Sequence, residues 1–458
     1  MVIRAERARF ERNLTVLNTF LEENNQAVQF NEGIIQVMDE LQTDCTSRIY
    51  LSLLERKDGL KMILLLLKMI DEGDWDHFDQ NAYDLLIKTI ACLTTILNSM
   101  SSNARDSIRY VLTTPLLQLQ RRWIDESKND NLLIHILRFL ISCCRNNEEN
   151  KKHWIASRDS LNRLAGLLKT TQNPQLASVL CSFITVLSRF DDFRDSSSSS
   201  SSSPSGPIIA SSHDTVLELS RCGLIGSLYD WAKAANDDEV LLTEILTTVR
   251  VMAVHDDIVQ SIVAIGLLDT AMKLLITVQK EELATAIIGM LRNVSANDDI
   301  KTFLCQSSVL TSIERISQSF PDCGLLQEHI CAFLGAMALR KPKNATRILQ
   351  HDGANIILSA MKRHASNIVL QRQGALAIRN LASRATVEEK TFILDTCSAE
   401  SILKQAGLHV GCADESYAAL RDLGCKVTKT TYHADGSITT QPIMFGEVRS
   451  NFRAEYDD

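Results

Sequence analysis

The 458-residue sequence is short of turn-forming and aromatic residues. It has only 7 proline and 18 glycine residues, well below the average usage of roughly 5% and 7%. A chain with so few of these residues makes few sharp reversals, which favours helices joined by short polar corners. Aromatic residues make up 5% of the chain and apolar residues 45%, so the core must consist mainly of Leu, Ile, Val and Ala.

The sequence also lacks a long hydrophobic run and an excess of positive charge. The strongest apolar run, residues 62–67, is closed by Lys68, whereas a membrane span needs about 20 residues. The formal net charge is −8, with both signs mixed along the chain, which argues against a broad nucleic-acid surface. Residues 1–13 contain no apolar core of a signal peptide. We therefore expect no membrane and no nucleic-acid partner, and a cytoplasmic location, with the nucleus as an alternative.

Patterns for disulfides, metals and catalysis are missing as well. The 12 cysteines include no Cys-x-x-Cys pair, and most lie in apolar helical stretches, where a free thiol packs as a small hydrophobic group. The sequence contains no Gly-x-Ser-x-Gly, no phosphate-binding loop and no His-Glu-x-x-His motif. We predict no catalytic residue, no metal site and no cofactor, and hence a protein that is not an enzyme.

What the sequence does contain is an internal repeat. The repeating unit consists of a polar residue, an amphipathic segment, a small residue nine positions after the first, and a second apolar segment. Copies of this unit begin at residues 106, 150, 214, 257, 299, 344 and 389. All but one of these intervals fall within the period of about 40–47 residues expected of two- or three-helix repeats. The long interval contains Ser196–Ser203, a run of eight serines. This run predicts a disordered insert over 194–212, with multiple phosphorylation of its serines as an alternative role.

Each copy continues into a third, longer apolar segment with helical spacing, such as 283–295 and 368–383. Three helices of unequal length per copy, with a small residue at the first corner, predict an all-α fold. We expect a right-handed α-solenoid, or superhelix, of about eight three-helix repeats with a flexible C-terminal tail. The predicted divisions are an N-terminal helical cap over 1–48, the repeat array over 49–424, and a flexible tail or weak hairpin over 425–458.

The ends of two third segments carry a resemblance to a known family. The sequences GALAIRNLASR at 374–384 and IGMLRNVSAND at 288–298 resemble the third-helix ending of armadillo repeats. The repeat pattern covers about 49–424, and the stretch 353–426 is more closely similar to one member of that family. The resemblance implies armadillo-type repeats in a cytosolic, adaptor-like protein.

The resemblance also implies where a ligand would bind. In the armadillo family the third helices line a concave groove, and an asparagine near the end of each helix often holds the backbone of an extended peptide. The matching residues here are Asn293 and Asn380, with Asp422 in the same register. The tryptophan with which nuclear-import receptors clamp basic peptides would stand four residues earlier, where this chain has Gly289 and Leu376. An importin role is therefore not expected.

An arginine recurs more often than the asparagine, just before the same register. A row of guanidinium groups along one flank of the groove would bind carboxylate or phosphate through paired hydrogen bonds. The alternative is that each arginine pairs with an acidic neighbour in the next repeat. The recurring arginines are Arg138, Arg250, Arg292, Arg379 and Arg421.

These features predict a non-enzymatic, monomeric adaptor. We expect it to bind an extended protein segment, acidic or phosphorylated, along the concave groove of the solenoid. The alternative is a structural or assembly component that uses its convex face or its tails, with the groove idle or occupied by the chain itself.

Overall fold

The computed structural model describes residues 2–23, 32–71, 80–99, 124, 129–155, 158–189, 212–235, 238–396, 398–426, 428–432 and 438–442. Within these residues the chain forms 24 α-helices and one two-stranded antiparallel hairpin. It divides into two compact units, 1–227 and 228–458. The prediction of an all-α solenoid built from three-helix repeats is confirmed, whereas its right-handedness stays a prediction.

The first unit begins with two helices that precede the first complete repeat. Its helices are α1 Val2–Glu23, α2 Glu32–Asp44, α3 Arg48–Arg56, α4 Gly59–Asp71, α5 Gln80–Ser99, α6 Asp130–Cys144, α7 Glu148–Ile155, α8 Arg158–Thr170, α9 Pro174–Ser188 and α10 Ser212–Arg221. The next helix, α11 Leu224–Ala234, contains the boundary between the units. Helices α2, α5, α6 and α9 pack one on the next in chain order, and α1 packs on α2 and α4.

The second unit shows the repeat most clearly. Its helices are α12 Glu239–Met252, α13 Asp256–Ala264, α14 Leu267–Thr277, α15 Glu281–Val294, α16 Asp298–Gln306, α17 Val309–Ser319, α18 Gly324–Ala338, α19 Pro342–Gln350, α20 Gly353–Arg363, α21 Ile368–Ala382, α22 Val387–Thr391, α23 Ala399–Ala406 and α24 Ala413–Leu423. A π-helical turn, Phe392–Thr396, follows α22, and a 3₁₀ turn, Val410–Cys412, precedes α24. The third helices α12, α15, α18, α21 and α24 pack in series, and so do the second helices α14, α17, α20 and α23.

The small residue between the first and second helices serves two different needs. At Gly266 the backbone is left-handed, with φ of 84°, a conformation that costs other residues energy. Two repeats later, between α19 and α20, the left-handed residue is Asp352, with φ of 58°, and Gly353 begins α20. A Cβ at Gly353 would lie 2.3 Å from Ile348 Cγ2, so glycine is needed there for close packing.

Two buried glutamines close the ends of second helices, and the sequence analysis missed both. Gln327 and Gln371 occupy the fourth position of α18 and α21 and are each 2% exposed. Gln327 donates from Nε2 to two carbonyl oxygens at the end of α17, both at 3.0 Å. Gln371 donates to the corresponding carbonyl oxygens of α20 at 2.7 and 3.1 Å. Burial of these amides is tolerated because they satisfy carbonyl groups left open at helix ends.

The C-terminal segment contains a hairpin. Strand β1, Thr428–Tyr432, pairs antiparallel with β2, Ile438–Pro442, and Thr430 lies opposite Thr440. Of the two alternatives for the tail, these residues therefore adopt the hairpin. Residues 427, 433–437 and 443–458 of the tail lie outside the described residues. So do residues 194–211 of the serine-rich insert and, in the copy beginning at Asp106, residues 106–123 and 125–128. The boundaries of the predicted cap, array and tail stay predictions.

Candidate functional site

The third helices of the second unit form one row. The inner helices α15, α18 and α21 each pack between two other third helices, and α12 and α24 stand at the ends of the row. We call the solvent-facing side of α12, α15, α18, α21 and α24 the third-helix strip. Large apolar side chains are exposed near the beginnings of these helices, with Val240 68%, Leu325 55% and Val369 52% exposed. Arginine and asparagine follow towards the helix ends. The strip thus offers both apolar and hydrogen-bonding groups to a ligand.

The two predicted asparagines connect neighbouring third helices. Asn293 on α15 donates from Nδ2 to the carbonyl oxygen of Arg250 at 2.7 Å. Asn380 on α21 donates in the same way to the carbonyl oxygen of Gly335 at 3.0 Å. A primary amide has two protons and a carbonyl oxygen, and no described residue engages the rest of either amide. Each asparagine therefore keeps one donor and one acceptor for a peptide backbone.

The last two arginines of the row share one carboxylate. Asp422 Oδ1 lies 2.7 Å from Arg421 Nη2, and its Oδ2 lies 3.7 Å from Arg379 Nε. Arg379 thus has the acidic neighbour in the next repeat that the alternative interpretation expects, whereas Arg421 pairs within its own helix. Asp422 therefore lies between the guanidinium groups of two neighbouring third helices, α21 and α24.

Arg250 crosses the neighbouring third helix. Its Nη1 lies 3.3 Å from Nε2 of His329, which is 4% exposed. Nδ1 of the same ring lies 3.3 Å from the carbonyl oxygen of Thr285, so the neutral tautomer with the proton on Nδ1 satisfies both contacts. A Cβ at Gly289 would lie 2.8 Å from Arg250 Cδ. The glycine that stands at the tryptophan position therefore makes room for this arginine.

Arg292 and Glu328 are different from the other charged residues of the strip. Both are partly buried, and among the described residues neither side chain has a hydrogen-bond or ion-pair partner. Burial raises the pKa of Glu328, and the positive charges of Arg292 and Arg250 offset part of that rise. Glu328 was not found from the sequence, because a glutamate in an amphipathic helix is typical of a solvated face.

The fifth arginine, Arg138, lies in the first unit. It is exposed on α6, where burial lowers the pKa of His135 and the positive charges of Arg138 and Lys88 lower it further. Lys88 pairs with Asp39 on α2. The structure therefore places Arg250, Arg292, Arg379, Arg421, Asn293 and Asn380 on one strip in the second unit, and Arg138 in the first unit.

Among the described residues, no group of three or more His, Cys, Asp or Glu side chains could hold a metal ion. No single described helix is long and apolar enough to cross a membrane, and only α13 and α14 taken together, across a bend of 70°, have the length and composition.

Comparison of the structure with solved proteins identifies the fold. A chain from a structure reporting a conserved phosphorylation switch in the interaction between cadherin and β-catenin matches with a TM-score of 0.54 and 14% identity, over 89% of this chain and 68% of that one. The chain has the armadillo-repeat fold. An engineered protein matches with a TM-score of 0.58 and 13% identity over 92% and 94% of the two chains. A designed armadillo-repeat protein covers 57% of this chain at a TM-score of 0.46 and 14% identity.

No protein-family profile matches the chain, and no curated protein matches it. At these levels of identity the likeness concerns the fold, and the strip has to be interpreted from its own residues.

Proposed function

We propose that this armadillo-fold protein is a non-enzymatic scaffold that binds an extended segment of another protein along the third-helix strip. The observation that carries the proposal is a set of polar side chains, none of them buried, at equivalent positions of four of the five third helices. Arginine stands there on α12, α15, α21 and α24, and asparagine follows it on α15 and α21. Asn293 and Asn380 each keep a donor and an acceptor, and two repeats separate them. An extended backbone offers donors and acceptors at regular intervals, so it can engage such a series whatever its side chains are.

The finer proposal concerns the charge of the segment. Arg250, Arg292, Arg379 and Arg421 lie near the ends of four of the five third helices of the second unit, and Arg379 and Arg421 both lie near Asp422. Guanidinium groups bind carboxylate and phosphate through paired hydrogen bonds. We therefore favour a segment that carries an acidic or phosphorylated residue.

The test is affinity capture from cytosol with the full-length protein. Arg292→Glu together with Arg379→Glu reverses two charges on the strip, and we expect one or more partners to be lost while the far-UV circular dichroism is unchanged. The matched control is Lys273→Glu with Lys362→Glu, two exposed lysines of the second helices α14 and α20, which changes the net charge equally. An identical set of partners from both variants and the wild type would contradict the strip as the binding surface.

The hairpin favours a second candidate function, assembly through the C-terminal segment. Strands β1 and β2 pair only with each other among the described residues, and unpaired strand edges are ready to accept another strand. Deletion of residues 426–458 would then change the elution volume or remove a set of partners. An unchanged elution volume and partner set would eliminate this candidate.

The similarity of 353–426 to the C-terminal half of armadillo repeat-containing protein 6 stays a proposal, because no comparison supports that particular protein. A cytoplasmic or nuclear location and a monomeric state also stay proposals.

A further inference from the structure

We propose that the segment bound by the strip carries a lysine or arginine close to its acidic residue, and that Glu328 selects this basic residue while Arg292 binds the acidic one. This inference rests on the proposed function and makes it more specific. The expected ligand is then a segment with one acidic and one basic residue, and not a uniformly acidic one.

The first observation is that the side chain of Glu328 has no hydrogen-bond or ion-pair partner among the described residues, although the charges of Arg292 and Arg250 act on it. Arg372, at the equivalent position of the next third helix, pairs with Glu415 at 2.9 Å instead. Arg250 is directed to His329. Neither arginine forms an ion pair with the carboxylate of Glu328. A partly buried carboxylate without a partner loses part of its hydration and gains no hydrogen bond in exchange. An ammonium or guanidinium group of a ligand would supply the missing partner.

The second observation is that Arg292 also lacks an ion-pair partner among the described residues. It lies on α15, the third helix next to the one that carries Glu328. Its charge influences the pKa of Glu328, so the two side chains are near each other without an ion pair between them. Opposite charges that face the same surface and remain unpaired form a dipolar site. The ligand with complementary charge is a segment that presents one anion and one cation.

Glu328 also disfavours the simplest alternative ligand. A second acidic residue placed over Glu328 would meet a like charge in a partly desolvated site, which opposes binding. A segment with several acidic residues would therefore bind more weakly than one with a single acidic residue and a nearby lysine. This difference separates the inference from the general proposal of an acidic segment.

The spacing of the two charges follows from the helix geometry. Neighbouring packed helices are roughly 8–10 Å apart. Arg292 and Glu328 also differ by seven positions along their equivalent helices, which is about 10 Å at 1.5 Å per residue. An extended chain advances about 3.3 Å per residue. The charges of the ligand should therefore be about three to five residues apart.

The experiment uses the full-length protein and fluorescent 14-residue Gly/Ser peptides in an anisotropy titration. One set carries a phosphoserine and a lysine two to six positions apart, in both orders, and a second set carries two phosphoserines and no lysine. The protein variants are Glu328→Gln and Glu328→Lys. The control is Asp269→Asn, which removes the charge of an exposed carboxylate on the second helix α14, and circular dichroism verifies the fold of each variant.

We expect the wild type and Asp269→Asn to prefer the best lysine-containing peptide at least about tenfold, the order of one charged hydrogen bond. Glu328→Gln should remove the preference, and Glu328→Lys should reverse it in favour of two phosphoserines. Binding of both peptide sets with no preference, or a preference that survives Glu328→Gln, would overturn the inference and leave the proposed function standing. Failure of the wild type to bind any peptide would overturn both.

Discussion

Lys301 on α16 is 3% exposed, and its ammonium group has two partners. It lies 2.9 Å from Asp298 Oδ1 and 3.4 Å from the carbonyl oxygen of Leu339, just beyond α18. Lys151 on α7 makes the equivalent contacts, with a carboxylate three residues before it and a carbonyl oxygen just beyond α9. Both lysines occupy the fourth position of a first helix. In these two repeats a buried lysine therefore joins the first helix to the end of the third.

The ion pair of Asp298 and Lys301 makes stability depend on pH. The hydrogen bond from Lys301, and its charge, hold the pKa of Asp298 below the ordinary aspartate value. A carboxyl whose pKa is lower in the folded than in the unfolded protein stabilises the fold above the unfolded-state pKa, and this contribution is lost as the pH falls through the folded-state pKa. Asp298→Asn should therefore lower the urea midpoint at neutral pH, and the difference from wild type should shrink towards acidic pH.

Asp299→Asn is the matched control for this prediction. Asp299 stands beside Asp298 in the first turn of α16, so both substitutions remove a negative charge that the helix dipole favours. Urea unfolding of both variants at several pH values separates the ion pair from the dipole. An equal loss of stability in the two variants at neutral pH would contradict the importance of the ion pair.

At this scale the sequence predicts positions better than contacts. The register of the repeats locates Asn293 and Asn380 correctly at equivalent places on their third helices. It does not predict that each amide binds the backbone of the preceding third helix, because that depends on the distance between repeats. The sequence also does not predict that the carboxylate of Glu328 lacks an ion pair. That depends on the contacts between repeats, in which Arg250 lies against His329 and Arg372 pairs with Glu415.

At the scale of elements, the corners between first and second helices decide where each repeat turns. Gly223 ends the corner before α11 with φ of 79°, and a Cβ there would meet nothing within 4 Å. Its only requirement is the left-handed backbone. Gly166, within α8, also has open space around a Cβ, and its backbone is helical. The two glycines thus differ in backbone conformation and not in crowding.

Alanine at these two positions should change the free energy of unfolding in opposite directions. Gly223→Ala should lower the free energy of unfolding by about 1–2 kcal/mol, because a left-handed backbone is strained for an L-residue. Gly166→Ala should raise it by about 0.5–1 kcal/mol, because glycine is unfavourable within a helix. Urea denaturation of both variants measures the two changes. A gain in stability for Gly223→Ala would show that the corner can relax to a right-handed conformation.

The helices themselves are largely predictable from the sequence. The predicted third segments 283–295 and 368–383 correspond to α15, Glu281–Val294, and α21, Ile368–Ala382. The long apolar spacing determines these helices, since only one face can enter the core. The first helix of the last repeat is less predictable, because it ends after five residues and continues as a π-helical turn. Nothing in its sequence explains that change.

For the whole molecule, the period of the repeat is sufficient to predict the armadillo-type solenoid, because each copy can bury its apolar faces only against the next. The period does not identify a ligand, since one scaffold supports many functions. The ligand has to be inferred from the exposed groups of the third-helix strip. Those groups depend on side-chain contacts between repeats, which no single repeat contains.

The most direct measurement of the central claim is site-specific photo-crosslinking from the strip. A benzophenone amino acid at Leu376, which stands on α21 about one helical turn before Arg379 and Asn380, should capture a partner protein in cytosol. The same amino acid at Ile276, which is 55% exposed on the second helix α14, should not capture that partner. Crosslinks from position 376 alone would establish the third-helix strip as the binding surface. Capture of the same partner from position 276 and not from 376 would contradict the account.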